Sequence, residues 1–282
     1  MKTYPNWFYL PAIITFTIFF VFPTLSAFYF SLTRWTIFDA TFIGFENYVS
    51  FLSDQMLSIG LKNTFIYAFL TSGIKTILAL PLAVILTSSI RFKGFYRSVV
   101  FFPVLVSTIA VGITFSILMQ PNSGLFNVIL GSMGLPEPDW LGSPKLALFS
   151  VIFVDVWKGI GIATIIYMGG ILAIPQDYFD AMKLEGGFWL RFRYVIIPLV
   201  RNSTFTVILL SFIGGLRSFD LIWVMTGGGP GFASDVLTSV IYKQYQAGFY
   251  GLSTAGNVIL FIMVTILVFP LRQFFNTREI EL

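Results

Sequence analysis

The chain has 282 residues, of which 56% are hydrophobic and only 11% are charged, and its mean hydropathy is +0.86. Water-soluble domains carry about 25% charged residues, so this composition excludes an ordinary soluble protein and indicates a membrane protein. The absence of Cys and His removes thiol nucleophiles, disulfides, Cys/His metal sites and the imidazole base that most hydrolases use.

Long apolar stretches with few charges divide the chain into six predicted membrane spans. The first lies within an uncharged run from Thr3 to Thr33, which is too long for the core of a signal peptide. The six spans are predicted over residues 8–31, 64–90, 98–119, 146–174, 200–224 and 252–275. Because backbone groups in hydrocarbon must be paired within the segment, we expect helices. The predicted fold class is therefore an all-α membrane protein.

Lysine and arginine collect in alternate loops between these spans. If the N-terminus is cytoplasmic, ten of them lie on the inner side and four on the outer side. The inner residues are Lys2, Arg91, Lys93, Arg97, Lys183, Arg191, Arg193, Arg201, Arg272 and Arg278, and the outer ones are Arg34, Lys62, Lys145 and Lys243. This bias places both termini in the cytoplasm. It also accounts for the net charge of +4, so no nucleic-acid partner is indicated.

Five ionisable residues lie well within predicted spans, away from the span ends: Lys75, Asp155, Lys158, Arg217 and Asp220. Each costs about 2.5–3.5 kcal/mol at the centre of an inserted helix, so they must face protein or water. Asp155 and Lys158, like Arg217 and Asp220, are three residues apart and can pair on one helix face. Charges on three spans at similar predicted depth favour a polar cavity open to the outside. The alternative is a set of structural ion pairs or side chains that extend to the interface.

Glycines are frequent in the fourth and fifth predicted spans. Most of them are expected to allow close helix packing. Gly159, Gly214 and Gly215 neighbour the charged residues, and for these three we favour a second role, in which the missing side chain lets a ligand approach the backbone.

The predicted cytoplasmic loop at about 175–198 combines charged and large apolar residues. Arginines such as Arg191 are interleaved with four large apolar residues, Phe188, Trp189, Leu190 and Phe192. Such side chains on a cytoplasmic loop indicate either anchoring at the membrane interface or insertion into a groove on a partner protein. Composition alone does not choose between them.

The stretch DAMKLEGGFWLRFRYVIIP, residues 180–198, resembles the cytoplasmic-loop signature of permease subunits in binding-protein-dependent ABC importers. That signature reads Glu-Ala-Ala, three residues, Gly, and a later Pro. Here Asp180 replaces the Glu, Ala181 and Met182 take the two Ala positions, and Gly186 takes the Gly position. Pro198 follows one residue earlier than usual. Further segments resemble the carbohydrate-uptake branch in the same order, including GFENYVSFL (44–52), FYRSVVFFPVLVS (95–107) and FDLIWVMTGGGPGFAS (219–234).

This resemblance implies a six-transmembrane-helix permease bundle of the type I ABC importers, in a single domain over residues 1–282. It implies import of a sugar, with an oligosaccharide favoured, through the plasma membrane of a bacterium or archaeon. The implied partners are a second, non-identical permease, two ATPase subunits that hold ATP and Mg, and an extracytoplasmic solute-binding protein. The chain itself needs no cofactor and no metal, and it has no Gly-x-x-x-x-Gly-Lys-Ser/Thr sequence for binding ATP.

The resemblance also assigns roles to individual residues. Substrate-pathway candidates are Lys158, Gly159, Ser211, Gly214, Gly215, Arg217 and Ser218. Independently of the resemblance, the position of Lys75, Asp155 and Asp220 inside predicted spans makes them candidates for buried ion pairs. Candidates for coupling to the ATPase are Asp180, Ala181, Glu185, Gly186, Gly187, Phe188 and Arg191.

Three alternatives stay open. The first is an ABC importer of another small solute, such as glycerol phosphate, a polyol or a uronate oligomer. An ion-coupled secondary transporter would show inverted repeats with matched broken helices, and none is apparent in the sequence. A membrane-embedded enzyme would need a catalytic set drawn from Asp, Glu, Lys, Ser and Tyr, and no such cluster occurs at catalytic spacing.

Overall fold

Helices account for most of the chain, and their bounds follow the apolar stretches of the sequence. The computed structural model describes residues 6–276, without the side chains of residues 6, 182–185, 272 and 274–276. In chain order the elements are α1 (Trp7–Ser31), β1 (Thr33–Trp35), β2 (Ala40–Phe42), α2 (Glu46–Ser53), α3 (Gln55–Thr87), α4 (Lys93–Leu105), α5 (Thr108–Leu118), α6 (Leu125–Ser132), α7 (Ala147–Leu172), α8 (Gln176–Glu185), α9 (Phe188–Leu199), α10 (Arg201–Leu216), α11 (Asp220–Met225), α12 (Leu237–Gln246) and α13 (Tyr250–Asn276).

Four helices within residues 6–276 are long and apolar enough to cross a membrane: α1, α3, α7 and α13. Two further pairs have the composition of one span each but are bent, α4 with α5 by 98° and α9 with α10 by 67°. Six crossings result if each bent pair crosses once. Each predicted span overlaps one of these helices or pairs, so the sequence located the apolar segments.

The prediction of a single third helix over 98–119 is wrong. Val106 and Ser107 have extended backbone, with ψ of 138° and 135°, which ends α4 and lets α5 leave in a new direction. Pro103, in the last turn of α4, has no N–H to continue the helical hydrogen bonds.

Two other predicted bounds also differ from the structure. The second span begins at Gln55 rather than residue 64, because the polar turns that precede it continue the same helix. The fifth helix stops at Leu216 rather than 224, and a separate short helix, α11, begins at Asp220.

A small antiparallel strand pair lies between α1 and α2 in the otherwise helical chain. Residues 33–35 pair with residues 40–42 in the register Thr33↔Phe42 and Trp35↔Ala40. The buried Asn47 side chain of α2 donates hydrogen bonds to the carbonyls of Ser31 (2.9 Å) and Thr33 (2.7 Å). These bonds fix the chain as it leaves α1, where backbone acceptors would otherwise be unsatisfied.

The contacts divide the chain into two compact units, residues 6–58 with 240–263 and residues 59–239 with 264–276. In the first unit the ring of Phe51 packs against Gly256, where a side chain would collide with it. The second unit has two apolar clusters, one that includes Tyr67, Val151 and Ile222 and another that includes Tyr167. The single domain predicted for the whole chain stays a prediction.

Candidate functional site

A buried ion pair joins α3 to α7 in the second unit. Lys75 Nζ lies 2.6 Å from Asp155 Oδ2, and the two side chains are 10% and 22% exposed. The predicted pairing of Asp155 with Lys158 is therefore wrong. The lysine from the facing helix meets the carboxylate directly, whereas Lys158 leaves the same helix as Asp155. Lys158 is half-buried and forms no ion pair with any residue that the structure describes.

Gly159 makes room for this ion pair. A Cβ atom at Gly159 would lie 2.7 Å from Lys75 Nζ and 2.8 Å from its Cε atom. Any side chain here would push the lysine away from Asp155. In the structure Gly159 therefore serves the packing of Lys75, and its predicted role toward a ligand stays a prediction.

The Tyr67 hydroxyl is a second buried polar group in this region. Tyr67 is fully buried on α3. Its hydroxyl forms no hydrogen bond of good geometry with the described part of the chain. Sequence reasoning missed this residue, because a tyrosine in an apolar run reads as a core or lipid-facing side chain.

The helix break between α10 and α11 separates Arg217 from Asp220. Both residues are exposed, and they form no ion pair with each other or with another described residue. Their predicted pairing on one helix face is wrong because the helix ends at Leu216, before Arg217. Ser218 lies within the break and is half-buried, and its carbonyl accepts a hydrogen bond from the Thr238 hydroxyl.

Gly214 and Gly215 differ in their surroundings although they are adjacent. A Cβ atom at Gly215 would lie 2.6 Å from the Ala68 Cα atom, so α10 packs directly on α3 at this point. A Cβ atom at Gly214 would meet nothing within 4 Å. Gly215 is thus needed for close helix packing, whereas Gly214 faces open space.

The two glycines give a matched test of this difference. We expect Gly215→Ala to lower the free energy of unfolding by about 1–3 kcal/mol, because backbone atoms of α3 cannot move aside as a side chain could. Gly214→Ala should be neutral or stabilise α10 by up to about 1 kcal/mol. Thermal unfolding of the purified variants in detergent measures both effects. Equal losses from the two substitutions would contradict the packing difference.

Most of the predicted substrate-pathway residues lie on two helices that pack together. Lys158 and Gly159 lie on α7, and Ser211 with the two glycines lies on α10, which contacts α7. Arg217 and Ser218 follow in the break at the end of α10. The structure thus places these residues on neighbouring elements of one unit.

A loop over residues 226–235 forms a polar network that sequence reasoning did not assign. Asp235 is fully buried and accepts a hydrogen bond from the Ser239 hydroxyl at 2.7 Å. A Cβ atom at Gly228, which has a φ of +87°, would collide with the Asp235 carboxylate. Asn63 of α3 donates hydrogen bonds to the carbonyls of Ala233 and Asp235, both at 2.9 Å. The loop is therefore held against α3, whereas the sequence analysis used residues 219–234 only as a segment of family resemblance.

The predicted coupling segment contains two helices separated by Gly186 and Gly187. The first, α8, carries exposed Asp180 and Ala181, and the Gln176 side chain donates a hydrogen bond to Asp180 at 3.3 Å. Glu185 is the last residue of α8, and its side chain lies outside the described residues. A Cβ atom at Gly186 would collide with the Leu190 side chain, which is exposed and would have to move aside.

The start of α9 presents apolar side chains at its surface. Phe188, Trp189 and Leu190 are 49%, 76% and 44% exposed. Arg191 lies beneath them, with its guanidinium carbon 5.9 Å from the Phe188 ring centroid and 6.0 Å from that of Phe179 on α8. These contacts tie α8 to α9 and leave the apolar face uncovered.

The described residues contain four to six candidate spans, with the charged helix α8 and the aromatic start of α9 directly after α7. Residues 57–280 match the family described as the binding-protein-dependent transport system inner membrane component. The chain belongs to this family. It is therefore the membrane-embedded transport component of an ABC importer, which works with a substrate-binding protein and with ATPase subunits, and it is not itself the ATP-hydrolysing enzyme.

Individual relatives cover nearly the full length. The chain is 33% identical to the trehalose/maltose transport system permease protein MalF of Thermococcus litoralis, over 90% of this chain and 88% of that protein. It is 30% identical to the probable ABC transporter permease protein YurN of Bacillus subtilis, over 99% and 98% of the two chains. A chain in the crystal structure of a bacterial alginate ABC transporter, bound to its alginate pentasaccharide-loaded periplasmic protein, superposes with a TM-score of 0.81. That match covers 93% of this chain and 90% of the other at 21% identity, and it shows the shared fold.

Proposed function

We propose that this chain is one of two non-identical permeases in an ATP-driven importer of a sugar, with an oligosaccharide as the favoured substrate. The sugar class is supported by the Thermococcus litoralis relative, whose name states trehalose and maltose as its substrates. Coupling of the permease to its ATPase subunits is supported by the exposed apolar side chains at the start of α9.

The segment 186–191 is proposed to dock into a groove on an ATPase subunit. Its exposed Phe188, Trp189 and Leu190 are the kind of anchors that bury in a protein groove. The Gly186 turn and the contacts of Arg191 hold α9 at a fixed angle to α8, so that movement of the ATPase would be passed on to the spans. The adjoining helix α8 carries Asp180, Ala181 and Glu185, and Gly187 lies in the turn between α8 and α9.

The substrate path is proposed to run along α7 and α10. Lys158, Gly159, Ser211, Gly214 and Gly215 lie on these packed helices, and the break at Arg217 and Ser218 provides polar groups at their end. Lys75 and Asp155 neutralise each other and so add no net charge beside this path.

Arg217 is the residue that bears on the charge of the substrate. It is exposed and unpaired with Asp220, which favours an anionic group on the solute, such as a uronate or a phosphate. A neutral oligosaccharide remains the first candidate because the named relative takes trehalose and maltose.

The proposed topology has both termini in the cytoplasm of a bacterium or archaeon. This orientation is supported by the ten Lys and Arg residues on the inner side of the predicted spans, compared with four on the outer side. ATP binding would close the two ATPase subunits on each other. The permease loops docked on them would then move the permeases to an outward-facing state, which receives the sugar from the binding protein. Hydrolysis would allow the permeases to return to the inward-facing state, because the outward-facing and inward-facing states bind their ligands with different affinities.

The test is ATPase activity of the full complex in proteoliposomes, prepared with the second permease, the ATPase subunits and candidate binding proteins. We expect sugar-loaded binding protein to stimulate hydrolysis, and the sugar that does so identifies the substrate. The double variant Gly186→Asp, Phe188→Ala should lose this stimulation. Transport by the purified chain alone, without ATP, would instead establish a secondary transporter.

A further inference from the structure

A pocket of about 260 Å³ lies between α4 and α7, apart from the residues proposed for the sugar path. Its polar lining includes Arg97, Ser98 and Thr164, and its apolar lining includes Val100, Phe101 and Ile165. The pocket therefore combines one cation and two hydroxyl groups with an apolar wall.

Arg97 brings a positive charge that no acid in the described chain neutralises. Its Nη2 donates a hydrogen bond to the Leu86 carbonyl at 3.1 Å, while its Nε is buried and has no hydrogen-bond partner among described residues. The sequence has no Asp or Glu between residues 88 and 107 or between residues 156 and 176, the stretches around the pocket. A guanidinium has five N–H donors, so most of them stay available to a ligand.

The pocket lies near the end of the bundle where basic residues gather. Arg97 is four residues into α4, which places it about 6 Å along the helix from Lys93. Lys93 donates a hydrogen bond to the Thr87 carbonyl at 2.9 Å, and Arg91 lies in the same connection. Further along α4 from these basic residues, the lining of the pocket is apolar and includes Val100 and Phe101. A ligand with a charged end and an apolar tail fits this gradient.

We propose that this pocket binds an anionic phospholipid. The phosphate would be held by Arg97, because the Ser98 and Thr164 hydroxyls already donate to the Gly94 and Ile160 carbonyls, and an acyl chain would lie against Val100, Phe101 and Ile165. Basic pockets between transmembrane helices on the cytoplasmic side are suited to anionic headgroups, and an arginine binds phosphate oxygens through two N–H groups. A free phosphate would leave the apolar wall unused. This inference goes beyond the proposed function, which needs no lipid ligand.

Native mass spectrometry of the delipidated full chain tests the proposal with two lipids of equal acyl composition. Palmitoyl-oleoyl phosphatidylglycerol should bind more tightly than the zwitterionic phosphatidylcholine. Arg97→Gln should weaken phosphatidylglycerol binding about fivefold, the effect of one basic side chain at an anionic surface. Arg91→Gln is the control, because Arg91 packs on the Phe92 ring at 5.1 Å and does not line the pocket.

Two further arms keep the result decisive. Ser98→Leu fills an exposed part of the lining without a change in charge and should weaken both lipids, which tests the pocket even if Arg97→Gln folds poorly. Inorganic phosphate at millimolar concentration should not displace phosphatidylglycerol. Equal binding of the two lipids, equal effects of Arg97→Gln and Arg91→Gln, or displacement by inorganic phosphate would each overturn the proposal.

Discussion

Replacing Lys75 by Met is expected to destabilise the protein by about 3–5 kcal/mol, because Asp155 would remain buried without its counter-ion. Asp155→Leu should cost a similar amount, because it leaves the lysine buried and unpaired. The double variant should recover most of the loss, since two apolar side chains then meet at the α3–α7 contact. Unfolding of the purified chain in mixed detergent, followed by far-UV circular dichroism, gives the three free energies and their coupling.

Lys62→Met is the matched control for this cycle. Lys62 lies on the same helix but is exposed, so its replacement should change the free energy of unfolding by less than about 0.5 kcal/mol. Small and additive effects of Lys75→Met and Asp155→Leu would show that the ion pair contributes no net coupling and would contradict the prediction.

Trp189→Ala is expected to weaken association with the ATPase subunits about 30-fold, the effect of removing about 2 kcal/mol at an interface anchor. The stability of the isolated chain should hardly change, because Trp189 is 76% exposed and touches only the edges of neighbouring aromatic rings. Binding of purified ATPase subunits to the permease pair in nanodiscs, measured by titration, gives the dissociation constant. Stimulation of hydrolysis should fall in parallel.

Phe102→Ala is the control for this result. Phe102 is 61% exposed in the last turn of α4, away from the basic residues at the start of that helix, where lipid rather than a cytoplasmic partner would cover it. It should leave ATPase association unchanged. Equal weakening by Trp189→Ala and Phe102→Ala would point to a general loss of folded protein and would remove the support for docking at α9.

The sequence predicted the apolar segments well because hydropathy depends only on composition along the chain. The first span, predicted over 8–31, matches Trp7–Ser31, and the fourth, predicted over 146–174, matches Ala147–Leu172. The bends were not predicted, since they depend on backbone angles at Val106, Ser107 and Val200 rather than on a loss of apolar character.

Pairing between helices was also beyond the sequence. Spacing within one helix suggested Asp155 with Lys158, but the partner is Lys75, which is 80 residues away. Only the packing of α3 on α7, with Gly159 as the gap between them, brings that lysine within reach. The family resemblance, in contrast, rested on ordered local segments and was confirmed by the match over residues 57–280.

The distance of 80 residues between Lys75 and Asp155 has a consequence during synthesis. At about 5–20 residues per second, α3 leaves the ribosome roughly 4–16 seconds before its carboxylate partner has been made. During that interval the lysine has no counter-ion from α7, and the apolar residues of α3 must offset the insertion penalty alone.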